Sequence, residues 1–168
     1  IYLGCYLFWI VNYVIGCRQE RARAFRFLGA DLAAKLVCLL CFLVFPTTNT
    51  RPVVEGVDVW AQAMRFLYEM DAADNLFPSI HCLTSTFCYL AVRGNERVPR
   101  WYRLTSLVIT AAICVSTLTT RQHVLIDVAG GIALAVGSYV FVEKSGFRSW
   151  YAGAIENLER RGLLSVRK

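Results

Sequence analysis

Apolar positions along this chain gather into long runs, not into the alternating or single-faced patterns of a soluble core. Residues 1–17 carry no charge, 27–45 carry only Asp31 and Lys35, and 76–92 hold only His81 as an ionisable group of note. Residues 104–120 are uncharged, and 124–142 carry only Asp127. Each run approaches the roughly 20 residues with which a helix crosses a hydrocarbon layer of about 30 Å. The pattern predicts an all-α fold, a polytopic membrane helix bundle with five spans. The chain opens on Ile1 and enters an apolar run at once, so upstream sequence, including a sixth span, is expected. A signal peptide is disfavoured, because no basic segment precedes that run.

Between the runs, 46–75 is the one long connection. Pro46 and Arg51-Pro52 interrupt helix there. Val57, Trp60, Ala61, Met64, Leu67 and Tyr68 then recur at helical spacing. They predict an amphipathic helix over 57–70, lying on the membrane surface or capping the bundle. Asp71–Asn75 ends it, and Pro78 suits the first turn of the next span. In the tail, Trp150, Ala154, Ile155, Leu158 and Leu163 stand among charges and predict a second interfacial helix. Ala129-Gly130-Gly131 with Ala133, Ala135 and Gly137 offers a small-residue surface for close helix packing. No linker or internal repeat divides residues 1–168, which read as one domain.

Composition agrees: 57% of residues are hydrophobic and 18% charged, with a mean hydropathy of +0.47. The net charge of +6 changes the picture only through its placement. Arg18, Arg21, Arg23 and Arg26 surround the first connection, and Arg93, Arg97, Arg100 and Arg103 the third. The tail carries Lys144, Arg148, Arg160, Arg161, Arg167 and Lys168, whereas the second connection is acidic. This alternation places the first and third connections and the C-terminus in the cytoplasm, and the second and fourth connections outside, in a plasma or inner membrane. The expected partner is the lipid bilayer, not nucleic acid. The seven cysteines all lie in or at the ends of apolar runs, and read as small buried hydrophobes without a zinc site or disulfide framework.

Ionisable groups in membrane spans are costly and ask for a reason. His81 and His123 both fall at the outer ends of spans, Asp127 follows His123 by four residues, and Arg51 lies just beyond the outer end of the second span. Topology alone therefore collects these four at one membrane face. A carboxylate at that spacing can take one imidazole N–H, fix the tautomer, and leave the other nitrogen as nucleophile or base. A buried structural His–Asp hydrogen bond remains the alternative.

Pro78-Ser79-Ile80-His81 and Ser116-x6-His123-x3-Asp127 resemble the second and third signature motifs of the type 2 phosphatidic acid phosphatase (PAP2) superfamily. Phe45-Pro46 leading to Arg51-Pro52 resembles the end of its first motif, so the likeness spans a core of about 45–131, ahead of a cytoplasmic tail at 143–168. The resemblance implies a reaction without metal or cofactor on a lipid phosphate or pyrophosphate. His123 would form a phosphohistidine, with Asp127 orienting it. His81 would protonate the leaving group and then activate water. Ser79 with the backbone N–H groups at the start of its helix, and Arg51, would hold the phosphate.

Two basic positions of the family pattern are missing. Val44 stands seven residues before Arg51 where a lysine is usual, and Thr117 stands six before His123 in place of an arginine. Lys35 is no substitute, being about 24 Å from Arg51 along a helix, and reads as a partner of Asp31 or a snorkelling residue. Arg121, one turn past Thr117, would bind phosphate if 116–121 is helical. These departures resemble the inositolphosphotransferase and sphingolipid-synthase-like branch, which moves a phospho-headgroup between lipids. A lipid phosphotransferase is therefore the alternative activity. A membrane transport or anion-binding protein is the non-enzymatic one, disfavoured because only Asp31 and Lys35 lie away from the outer face.

Overall fold

In a computed structural model that describes residues 1, 2 and 4–161, the chain is all helical, with one isolated bridge between Thr48 and Asp74. The helices are α1 (Cys5–Cys17), α2 (Arg21–Val44), α3 (Val59–Met70), α4 (Ile80–Val92), α5 (Arg100–Thr119), α6 (Leu125–Lys144) and α7 (Phe147–Arg160). Five of them correspond to the five apolar runs. Among the described residues only α2, α5 and α6 are long and apolar enough to cross a membrane; α1 and α4 have 13 residues each.

The shortness of α4 has a local cause. The N–H groups of Leu76 and Phe77 donate to Thr47 Oγ1 at 2.9 and 3.0 Å, which holds this stretch out of the helix as irregular, bent chain. Ser79 then caps the helix, its hydroxyl accepting from Cys82 N–H at 3.4 Å. Pro78 precedes that cap and is not in the first turn as its sequence position suggested.

Helix α4 is the centre of the bundle, packed against α1, α2, α5 and α6. Cys82 to Cys88 are buried one after another, so two successive turns are covered on every face. Phe27, Ala30, Ala34 and Cys38 of α2 meet Leu83, Phe87, Leu90 and Ala91 of α4 and Ala135 and Val142 of α6 in the main core. Polar side chains pin the neighbours to one point: Trp9 Nε1 donates to Ser85 Oγ, and Thr110 Oγ1 to the Ser85 carbonyl, both at 2.9 Å. The outer faces, by contrast, display Leu36, Leu39, Leu40 and Leu43 of α2, an apolar exterior that fits a membrane protein.

The remaining expectations are met in part. Asp31 accepts from Lys35 Nζ at 2.7 Å and from the Tyr13 hydroxyl at 2.6 Å, which is the i,i+4 pairing foreseen for Lys35. The amphipathic helix begins two residues later than expected because Asp58 caps it, accepting from Trp60 and Ala61 N–H. Those two backbone donors, Ala61 first, hold the Asp58 carboxyl below its ordinary range. Of the predicted stripe, Ala61 and Leu67 are buried and Met64 and Tyr68 half-buried, whereas Val57 and Trp60 face outward. In the tail, α7 packs on α2 and α6, with Phe147 and Tyr151 both 3.6 Å from where a Cβ on Gly29 would lie. Trp150 is exposed, and Leu163 lies outside the described residues.

Candidate active site

The starts of α4 and α6 are bound to one another. Ser79 N–H donates to the Asp127 carbonyl at 3.0 Å. This approach needs Gly131, where a Cβ would sit 2.5 Å from the Ser79 carbonyl oxygen and 3.2 Å from Cys82 Cβ. Gly130 likewise admits the Phe77 ring, and Ala135 is buried. Ala129 and Ala133 are exposed and Gly137 faces open space, so the small-residue seam is narrower than the sequence suggested. Gly131→Ala is expected to push the start of α4 away from α6. The cost should be about 1–3 kcal/mol of stability, with activity falling at least about tenfold as the site loosens. Thermal unfolding in detergent and any turnover assay check this; wild-type values for both would refute it.

Helix α5 stops at Thr119, and the chain reverses within four residues. Gln122 and His123 N–H both donate to the Thr117 carbonyl, at 3.0 and 3.1 Å, while Arg121 takes a left-handed φ of 56°. His123 therefore precedes the N-cap of α6 and does not lie on that helix. The Asp127 carboxylate, at the third position of α6, accepts from Val124 N–H at 3.0 Å and faces His123 Nδ1 at 3.4 Å. The His–Asp contact expected from helix-face spacing is thus made by a capping turn, in which the helix dipole also favours the carboxylate. Both side chains are buried, and Nδ1 facing Asp127 leaves Nε2 as the free nitrogen of His123.

Opposite stands His81 in the first turn of α4, its ring centre 6.0 Å from that of His123. Its Nδ1 lies 3.2 Å from the Tyr2 hydroxyl, and its ring packs against Tyr2 and Trp9 at centroid distances of 4.5 and 5.4 Å. Arg51 reaches the same cluster from the second connection. Its guanidinium donates to Gln122 Oε1 and to the carbonyls of Tyr68 and Asp71, and stacks over the Tyr68 ring at 4.8 Å. Four buried polar atoms here have no hydrogen-bond partner: His81 Nε2, His123 Nδ1, Arg51 Nε and Gln122 Nε2. Of these, His123 Nδ1 faces the Asp127 carboxylate, which leaves Arg51 Nε, Gln122 Nε2 and His81 Nε2 as polar groups still to be satisfied.

Structure and sequence thus agree in bringing His81, His123, Asp127, Ser79 and Arg51 together. Arg121 is different. With α5 ending at Thr119, the helical condition for sharing a face with buried Thr117 is not met, and the Arg121 side chain is exposed. Sequence reasoning also passed over Gln122, Tyr68, Tyr2 and Asp71. Tyr2 looked like part of an apolar span, Asp71 like a helix breaker, and Gln122 carries no charge; the only available signal for Gln122 was its place beside His123.

A cavity of about 430 Å3 adjoins this cluster, lined by Thr47, Thr48, Asn49, Leu76, Phe77, Val124, Ile126 and Asp127. Among the described residues no three His, Cys, Asp or Glu side chains converge as a metal site would need. The family model described as the PAP2 superfamily (PAP2_3) matches residues 1–141. No curated protein and no solved structure matches the chain.

Proposed function

The chain belongs to the PAP2 superfamily, and from that membership we propose that it is an integral-membrane phosphatase hydrolysing a lipid phosphate or pyrophosphate at the extracytoplasmic face. The observation that carries this reading is the facing pair: His123 with Nδ1 turned to Asp127 at 3.4 Å, and His81 with its ring centre 6.0 Å away. His123 Nε2 attacks phosphorus and forms a phosphohistidine, while Asp127 holds the ring. His81 gives a proton to the leaving oxygen and then takes one from the attacking water. Arg51, held against Gln122, and the first-turn N–H groups of α4 stabilise the charge on the phosphoryl oxygens. Arg121 stays at the rim. The cavity beside Asp127, with Leu76, Phe77, Val124 and Ile126 in its wall, supports a substrate that carries acyl or prenyl chains. The basic residues of the first and third connections support the cytoplasmic assignment of the opposite end.

One observation favours a lipid phosphotransferase instead. At the two positions where cations are usual, Val44 is exposed on the apolar surface and Thr117 is fully buried without charge. The phosphohistidine would then be resolved by a lipid hydroxyl. Purified protein in detergent and EDTA is expected to release inorganic phosphate from phosphatidate, a prenyl pyrophosphate or phosphatidylglycerol phosphate. Its kcat/KM should be bell-shaped in pH, because His123 must be neutral to attack and His81 protonated to donate. Headgroup transfer to a lipid alcohol without free phosphate would select the transferase, and neither product from any of these lipids would sink both readings.

A further inference from the structure

The two histidines are supported differently. His123 meets its carboxylate directly, whereas His81 has none within reach. Beside it is Tyr2, buried to 5% exposure, whose hydroxyl lies 3.2 Å from His81 Nδ1 and also donates to Asp71 Oδ2. A carboxylate only accepts, so the single phenolic proton belongs to the Asp71 bond. The phenol oxygen is then the acceptor in the Tyr2–His81 contact, and His81 Nδ1 must carry the proton that it donates. The nitrogen left over, Nε2, is buried and without a partner. Asp71 ends α3, and its backbone carbonyl accepts from Arg51. One residue thus joins the support of the acid to that of the phosphate-binding cation.

We propose that Tyr2 and Asp71 form a positioning relay for His81, which keeps Nδ1 protonated and makes Nε2 the atom that gives up and regains a proton. The relay rests on the phosphohistidine reading above. In the first step the His123 Nε2–P bond forms as the P–O bond to the leaving group breaks. The Nε2 proton of the His81 imidazolium passes to the leaving oxygen, and the neutral Nδ1–H tautomer remains, still bonded to Tyr2. In the second step water oxygen bonds to phosphorus as the N–P bond breaks, and a water proton restores the imidazolium. Through both steps the Asp71 charge, transmitted by the phenol, favours the protonated ring and fixes its plane.

The test is dependence on the leaving group. Tyr2→Phe keeps the ring that packs on His81 and removes only the hydroxyl. For a long-chain alkyl phosphate, whose alkoxide needs a proton, kcat/KM is expected to fall about ten- to a hundredfold. For an alkylated nitrophenyl phosphate of matching length, whose phenolate leaves unaided, it should stay within about twofold. Asp71→Asn, which can still accept from Tyr2 without a charge, should fall in between for the alkyl ester. Equal losses on both esters would make Tyr2 merely structural, and no loss on either would remove it from the reaction; each overturns the relay alone. His123→Ala is the control for the underlying reading. If it retains turnover, or if the wild-type protein cleaves neither ester, the proposed function fails and the relay fails with it.

Discussion

His123→Ala is expected to lower turnover of the lipid phosphate by at least about a thousandfold and to abolish a covalent phosphoenzyme. The imidazole faces the Asp127 carboxylate through Nδ1 at 3.4 Å. It lies ahead of the α6 cap, in a turn whose geometry comes from the Thr117 carbonyl and the Asp127 carboxylate, so its removal leaves those bonds intact. An alanine there opens space without stranding a buried partner, apart from the Asp127 oxygen that also caps the helix. The fold should therefore survive while the chemistry is lost. Rapid quenching of the wild-type protein with radiolabelled substrate should trap phosphate in an acid-labile, alkali-stable form, as a phosphohistidine requires. Labelling that persists in His123→Ala would move the nucleophile elsewhere.

Removal of the guanidinium should be almost as damaging. Arg51→Ala is expected to reduce kcat about a hundred- to a thousandfold, the usual consequence of losing one preorganised charge that faces a developing anion. Arg51→Lys should recover little of it. The arginine is held in a fork, with donors to Gln122 and to the carbonyls of Tyr68 and Asp71 at the end of α3, and over the Tyr68 ring; a single ammonium cannot make those contacts together. Both variants can be compared with wild type by kcat and KM on one lipid phosphate, with circular dichroism to verify helix content. A change confined to KM, or wild-type kcat in Arg51→Ala, would show that this cation does not act in the transition state.

The sequence was most informative where a single physical constraint dominates. The apolar runs located five helices, and the unusual presence of histidine, aspartate and arginine at their ends pointed to the residues that the fold gathers into one cluster. It was less informative where backbone geometry decides. The irregular stretch before Ser79 shortens α4, and nothing in the hydropathy of 76–92 distinguishes that stretch from helix. The same holds at Arg121, which takes a left-handed φ past the end of α5 and is exposed where Thr117 is buried. His123 and Asp127 meet as four-residue spacing suggests, yet through a cap and not along a helix face. Tyr2 and Asp71 were illegible for another reason: their pairing spans nearly half the chain, and no local pattern reports it.

Helix α4 carries His81 at one end and is enclosed over two full turns by its neighbours. In the language of cooperativity, the Cys82–Cys88 segment has no low-energy local opening of its own, because exposing it means unseating side chains from the helices α1, α2, α5 and α6 that pack on α4. His81 stands one residue ahead of that segment, so the backbone that carries it is anchored on a part of the helix that opens only with the bundle.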